Sequence, residues 1–142
     1  LKEMVARNSG KILQLASTSS KAPTPLLSVY AGTKAFIYNF TQGLINELKD
    51  TNVTMTALLP GPTETDFFNK AGAENTVVYQ ETELADPADV AKDGYEALQK
   101  GESKIVSGMK NKLETTMGNV MPDEAIAERY RKQMNPSDKH DN

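Results

Sequence analysis

The sequence predicts an α/β protein built on a parallel sheet, and three observations carry the prediction. Helical and strand-like segments alternate along the chain, the strand-like runs are short and apolar without clean alternation, and loops rich in Ser, Thr, Pro and Gly stand at the strand ends. Alternation of this kind is what βαβ crossovers produce, because parallel strands covered on both faces read as continuous apolar runs.

Leu1, Met4 and Val5 recur at helical spacing and predict a helix over residues 1–7, ended by the polar turn Asn8-Ser9-Gly10. Ile12, Leu13 and Leu15 then predict a strand over 11–16, and residues 17–25 a loop. A loop after the carboxyl end of a parallel strand is where open α/β sheets place ligands. Phe36, Ile37, Phe40, Leu44, Ile45 and Leu48 fall at three- and four-residue steps, which predicts a long helix over 28–50. Residues 53–59 are β-branched and apolar, a second strand, stopped by Pro60-Gly61-Pro62. Residues 62–84 have little periodicity, and Phe67, Phe68, Val77, Val78 and Tyr79 give them apolar surface enough to cover a ligand. Asp86 as cap, Pro87 at the first helical position and Asp89 in the first turn open a helix that ends at Lys100-Gly101. A third strand over 103–107 and a charged helix over 123–134 complete the pattern, which divides the chain into a domain of residues 1–134 and a flexible tail, 135–142.

Composition narrows the function classes. The chain has 142 residues, 38% hydrophobic and 25% charged, as expected of one soluble domain or a large part of one. Sixteen basic against nineteen acidic residues give a charge of -3 and a pI near 5.2, so neither nucleic acid nor a membrane is expected as partner. Seven acids against Lys92 and Lys100 between residues 81 and 102 read as a solvated helix face. No cysteine is present and His140 is the single histidine, so no metal site is expected. The first residue is Leu1 rather than Met, and the chain opens inside a helix pattern, so it is expected to be an excerpt with any targeting peptide upstream; a cytoplasmic setting fits.

Tyr30 and Lys34 are four residues apart at the start of the long helix, on one face. An ammonium near a phenol favours phenolate and lowers its pKa from about 10 toward neutrality, where it can act as general acid or base. Taken alone the spacing is common and reads first as a plain helix-surface pair. Ser17, thirteen positions before Tyr30, stands at the end of the first predicted strand, where a hydroxyl can polarise a carbonyl oxygen; Thr18, Ser19, Ser20 and Ser28 compete for that role. Pro60-Gly61 closes the second strand and brings Thr63 and Thr65 to the same sheet edge, with a cap or turn hydroxyl as the alternative for Thr65. Phe67 and Phe68 fit a substrate pocket or the core.

Gly10-Lys11-Ile12-Leu13-Gln14-Leu15-Ala16-Ser17, Tyr30-Ala31-Gly32-Thr33-Lys34 and Pro60-Gly61-Pro62-Thr63-Glu64-Thr65 together resemble the short-chain dehydrogenase/reductases in order and spacing, over residues 1–108. The resemblance implies a Rossmann-like parallel sheet with flanking helices. It implies NAD(P)-dependent interconversion of a carbonyl and an alcohol, with NAD or NADP as cofactor and a small carbonyl or alcohol as substrate. Tyr30 would give or take the proton, Lys34 would bind the nicotinamide ribose and tune Tyr30, and Ser17 would hold the reacting oxygen. Thr65, with Pro60, Gly61 and Thr63, would hold the carboxamide, and Phe67 and Phe68 would line the substrate pocket. The family's glycine-rich dinucleotide loop does not occur, since no Gly-x-Gly-x-x-Gly is found. The chain is therefore expected to be the family's carboxyl-terminal half, a fold without its amino-terminal half, with an exposed strand edge, poor cofactor binding and no activity by itself. A non-catalytic binding or assembly module is the alternative. The resemblance also implies a homodimer or homotetramer, with Phe36 and Phe40 at the interface.

Overall fold

The computed structural model describes residues 1–118 and 120–137. Three parallel strands, β1 (Gly10–Leu15), β2 (Val53–Leu59) and β3 (Lys104–Val106), form one sheet in that order. β1 and β2 run in register from Gly10 opposite Val53 to Leu15 opposite Leu58, and β3 covers only the far end of β2, Ala57 to Leu59. The helices are α1 (Lys2–Ala6), α2 (Ser28–Glu47), α3 (Phe67–Lys70), α4 (Val77–Glu81), α5 (Pro87–Lys100), α6 (Met109–Gly118) and α7 (Asp123–Met134), with a 3-10 turn at Thr18–Lys21.

The two-residue period of β2 splits the core into two layers. Val53, Met55, Ala57 and Leu59 face α2, packing with Leu44, Ile45, Leu48, Ile37 and Tyr38. Leu58 and Thr54 face α5, where they meet Gly94 and Gly101. α5 begins and ends as its sequence dictates: the Asp86 carboxylate accepts from Ala88 N–H at 2.7 Å, Pro87 takes the first turn, and Gly101 closes the helix at φ 71°. A third apolar group, Phe68, Ala73, Val78 and Met134, lies outside the sheet and ties the segment after β2 to α7.

The α/β class and parallel strands are as the sequence predicts. The expectation of a fold lacking its amino-terminal half is corrected: the fold is a three-stranded parallel α/β sheet, Rossmann-like in its βαβ connections, with β1 as its first strand. Such units repeat one local geometry, so strand and loop patterns identify the unit but not its place in a larger sheet. Two further differences are local. Residues 62–84 hold the short helices α3 and α4, and α6 stands where no element is predicted. α6 carries Met109, Leu113 and Met117 at four-residue steps, a helical signal, but all three are exposed. Of the expected tail, residues 135–137 lie against the segment before α4, with Val77 N–H donating to Asn135 O at 3.0 Å and Ser137 N–H to Asn75 O at 2.7 Å. His140 and the rest of residues 138–142 lie outside the described residues. Among the described residues no helix is long and apolar enough to cross a membrane, and no acidic or histidine cluster could hold a metal.

Candidate functional site

The carboxyl ends of β1, β2 and β3 open into one cleft of about 860 Å³, within the range of roughly 300–1,000 Å³ usual for small-molecule sites. The residues to which the resemblance gives site roles all line it: Ser17, Tyr30, Lys34, Pro60, Gly61, Thr63, Thr65, Phe67 and Phe68. They are brought together because strand ends of a parallel sheet lie on one edge.

Ser17 follows β1 and is buried, its backbone extended at φ -167° to cap the 3-10 turn. Its Oγ accepts from Ser19 N–H at 3.1 Å, which uses a lone pair and leaves the hydroxyl proton uncommitted among the described residues. Of its competitors, Ser20 spends its hydroxyl on Ser17 O at 2.5 Å, and Ser28 does not line the cleft. Thr18 and Ser19 do line it.

Tyr30 and Lys34 both project from the first turns of α2, and Leu26, at φ 66°, turns the chain into that helix. The Lys34 ammonium lies 5.7 Å from the Tyr30 ring centroid and donates to Leu15 O, the last residue of β1, at 3.0 Å. Burial holds Lys34 below the ordinary lysine value of 10.5. The Tyr30 ring packs against Phe67 at 5.1 Å, Phe67 meets Phe68 edge-on at 5.5 Å, and Phe68 lies 5.0 Å from Tyr79. Phe67 is therefore a wall of the cleft, whereas Phe68, 5% exposed, is also core.

At the end of β2, Thr63 donates to Gly61 O at 2.9 Å and Thr65 accepts from Phe67 N–H at 3.4 Å. Both hydroxyls thus take part in the turn itself. The segment is pinned by Glu64 N–H to Ala85 O and Ala85 N–H to Pro62 O, each 3.0 Å.

Two cleft residues escape the sequence reading. Tyr130 of α7 lies beside Thr18, with which it shares a hydrogen bond; burial, then the nearby Glu114 carboxylate, push its phenol above the ordinary value, against a smaller downward pull from Arg129 and Thr18. Asn111 of α6 lies on Gly61. Nothing in local spacing links either residue to the strand ends, since α6 and α7 reach the cleft only by folding back over the 3-10 turn.

A family model described as short chain dehydrogenase matches residues 1–76. The uncharacterised oxidoreductase YvrD of Bacillus subtilis is 41% identical over 66 residues, 46% of this chain and 25% of that protein. An uncharacterised oxidoreductase of Staphylococcus saprophyticus is 33% identical over 101 residues, 70% of this chain and 40% of that protein. Among solved structures, a short chain dehydrogenase from Burkholderia cenocepacia in complex with NADP aligns at TM-score 0.71 and 19% identity, over 91% of this chain and 50% of that one. A short-chain dehydrogenase from Sphingobium yanoikuyae in complex with NADPH aligns at TM-score 0.68 and 21% identity, over 91% and 52%. The chain thus spans a quarter to two-fifths of these curated relatives and about half of these solved chains. These matches correct the expectation that the chain is the family's carboxyl-terminal half. The family match falls on residues 1–76, the amino-terminal part of this chain, and leaves residues 77–142 outside it.

Proposed function

Because the chain belongs to the short-chain dehydrogenase family, we propose that it serves the NAD(P)-dependent interconversion of a carbonyl and an alcohol, with Tyr30 giving and taking the proton. The observation that carries this reading is the convergence of Ser17, Tyr30, Lys34 and the Pro60–Thr65 turn on one cleft at the strand ends.

The residues present fit the nicotinamide end of a dinucleotide. Lys34 is fixed on Leu15 O beside Tyr30, where it can reach a ribose hydroxyl, and Gly61, with the Asn111 amide against it, stands at the end of β2 with Thr63 and Thr65 beyond it. When bound, the cofactor supplies the hydride. In the direction of reduction, Ser17 donates its uncommitted proton in a hydrogen bond to the substrate oxygen, and Tyr30 transfers its phenolic proton to that oxygen as negative charge develops there. The Lys34 ammonium stands 5.7 Å from the Tyr30 ring centroid. Oxidation runs the same proton path backward. Phe67 against the Tyr30 ring gives the substrate an apolar wall, so a small carbonyl or alcohol compound with an apolar flank fits.

The same reading pairs the chain with copies of itself through α2. Phe36 and Phe40 stack at 5.8 Å on its outer face and are 69% and 49% exposed. The chemical test is Tyr30→Phe, with turnover of carbonyl compounds followed by NADH or NADPH consumption. The variant is expected to lose about 10²–10⁴-fold in turnover, with nucleotide affinity kept. Unchanged turnover removes Tyr30 from the role.

A further inference from the structure

We propose that Asn111 is a further nucleotide-contacting residue, its side-chain amide pairing with the carboxamide of the nicotinamide. The inference rests on the functional reading above and adds a residue from α6, outside the three motifs and outside the family match.

The Asn111 amide is held on the backbone of Gly61. A Cβ built on Gly61 would overlap its Nδ2, Oδ1 and Cγ, so only glycine at this strand end lets the amide lie there. A second glycine stands close to the amide: Gly108 is at φ 83°, and a Cβ on it would sit 3.3 Å from Asn111 Nδ2. Two glycines from different strand ends thus frame one side-chain amide.

Its orientation is fixed by chemistry. The atom 2.8 Å from Ser107 O must be the NH2 group, because a main-chain carbonyl can only accept. Oδ1 then has no hydrogen-bond partner among the described residues, while Asn111 is half-buried and lines the same cleft as Gly61, Thr63 and Thr65. The anchor is itself rigid. Ser107 N–H donates to Leu59 O at 3.2 Å, and its hydroxyl donates to the Asp93 carboxylate at 2.7 Å, tying β2, β3 and α5 to one point. A pre-positioned acceptor with a donor beside it is complementary to a primary carboxamide, whose NH2 and C=O lie side by side in the same way. Where the carboxamide is held beside Gly61, this amide is its neighbour.

The test measures binding rather than turnover. Nicotinamide mononucleotide and its 3-acetylpyridine counterpart, in which a methyl replaces the carboxamide NH2, are titrated calorimetrically into the 142-residue chain and into Asn111→Ala and Asn111→Asp. The wild type is expected to prefer the carboxamide about 3- to 10-fold, the range of one hydrogen bond. Asn111→Ala is expected to lose that preference, and so is Asn111→Asp, whose second oxygen has no proton to donate to Ser107 O and so gives up the anchored position. If Asn111→Ala does not fold, the Asp variant and the wild-type preference decide. Equal binding of both nucleotides by the wild type, or a preference unchanged in Asn111→Ala, overturns the role of Asn111 and leaves the cofactor reading standing. Failure of the wild type to bind either overturns both.

Discussion

Gly94 is expected to be a packing residue, and one pair of substitutions isolates that role. In Gly94→Ala the new Cβ lies 2.7 Å from Leu58 Cδ2 and 3.3 Å from Leu13 Cδ1, both on the sheet face under α5. Leu58 is 5% exposed, so its methyl has no solvent to retreat into. Overpacking of this kind costs about 1–3 kcal/mol, while replacing a mid-helix glycine by alanine gains about 1 kcal/mol of helix propensity. The net expectation is a loss of up to about 2 kcal/mol. Gly43, in α2, is the control, because a Cβ there meets nothing within 4 Å. Gly43→Ala should therefore show the propensity gain alone. Subtracting the two cancels propensity and leaves the packing cost, about 1–3 kcal/mol, or a separation of roughly 4–12 °C in Tm. Thermal and urea denaturation of the two variants beside the wild type give the value. A Gly94→Ala protein as stable as Gly43→Ala would refute the argument that α5 is seated on Leu58 and Leu13 through a glycine contact.

Two further outcomes are expected. Tyr130 has its phenol raised above 10.0 chiefly by burial, so its neutral form contributes stability that is present below pH 10 and is lost as pH rises through the folded-state value; between pH 9 and 11 the wild type should lose more stability by urea titration than Tyr130→Phe, and parallel profiles would sink the assignment. If α2 pairs with a copy of itself, Phe36→Ser with Phe40→Ser should lower the mass found by sedimentation while the far-ultraviolet spectrum stays unchanged, whereas an unaltered mass takes the two rings out of any interface.

The proposed site is legible in the sequence because its parts are local. Tyr30 and Lys34 share a helix face through a four-residue step, Ser17 is placed by the end of β1, and Gly61 by the end of β2; each depends on a short stretch of chain. The parallel pairing of β1 with β2 then carries them to one edge without further instruction. α5 is legible for the same reason, its cap, proline and terminal glycine all lying within its own residues. Other features depend on distance along the chain. The sequence shows Met109, Leu113 and Met117 in helical step but not that this stripe faces outward, while Asn111 between them turns to Gly61, fifty residues away. Nor does it show that α7 sets Tyr130 against Thr18, or that Thr63 and Thr65 bond their own turn. The sequence by itself determined the α/β class, the strand-end serine, the Tyr30–Lys34 pair and the Pro60-Gly61 turn, because spacing and backbone preference act over a few residues. Only the tertiary structure decided which hydroxyls keep a free proton, which amide lies on Gly61 and which rings wall the cleft, because those follow from packing between elements whose separation in sequence carries no periodic trace.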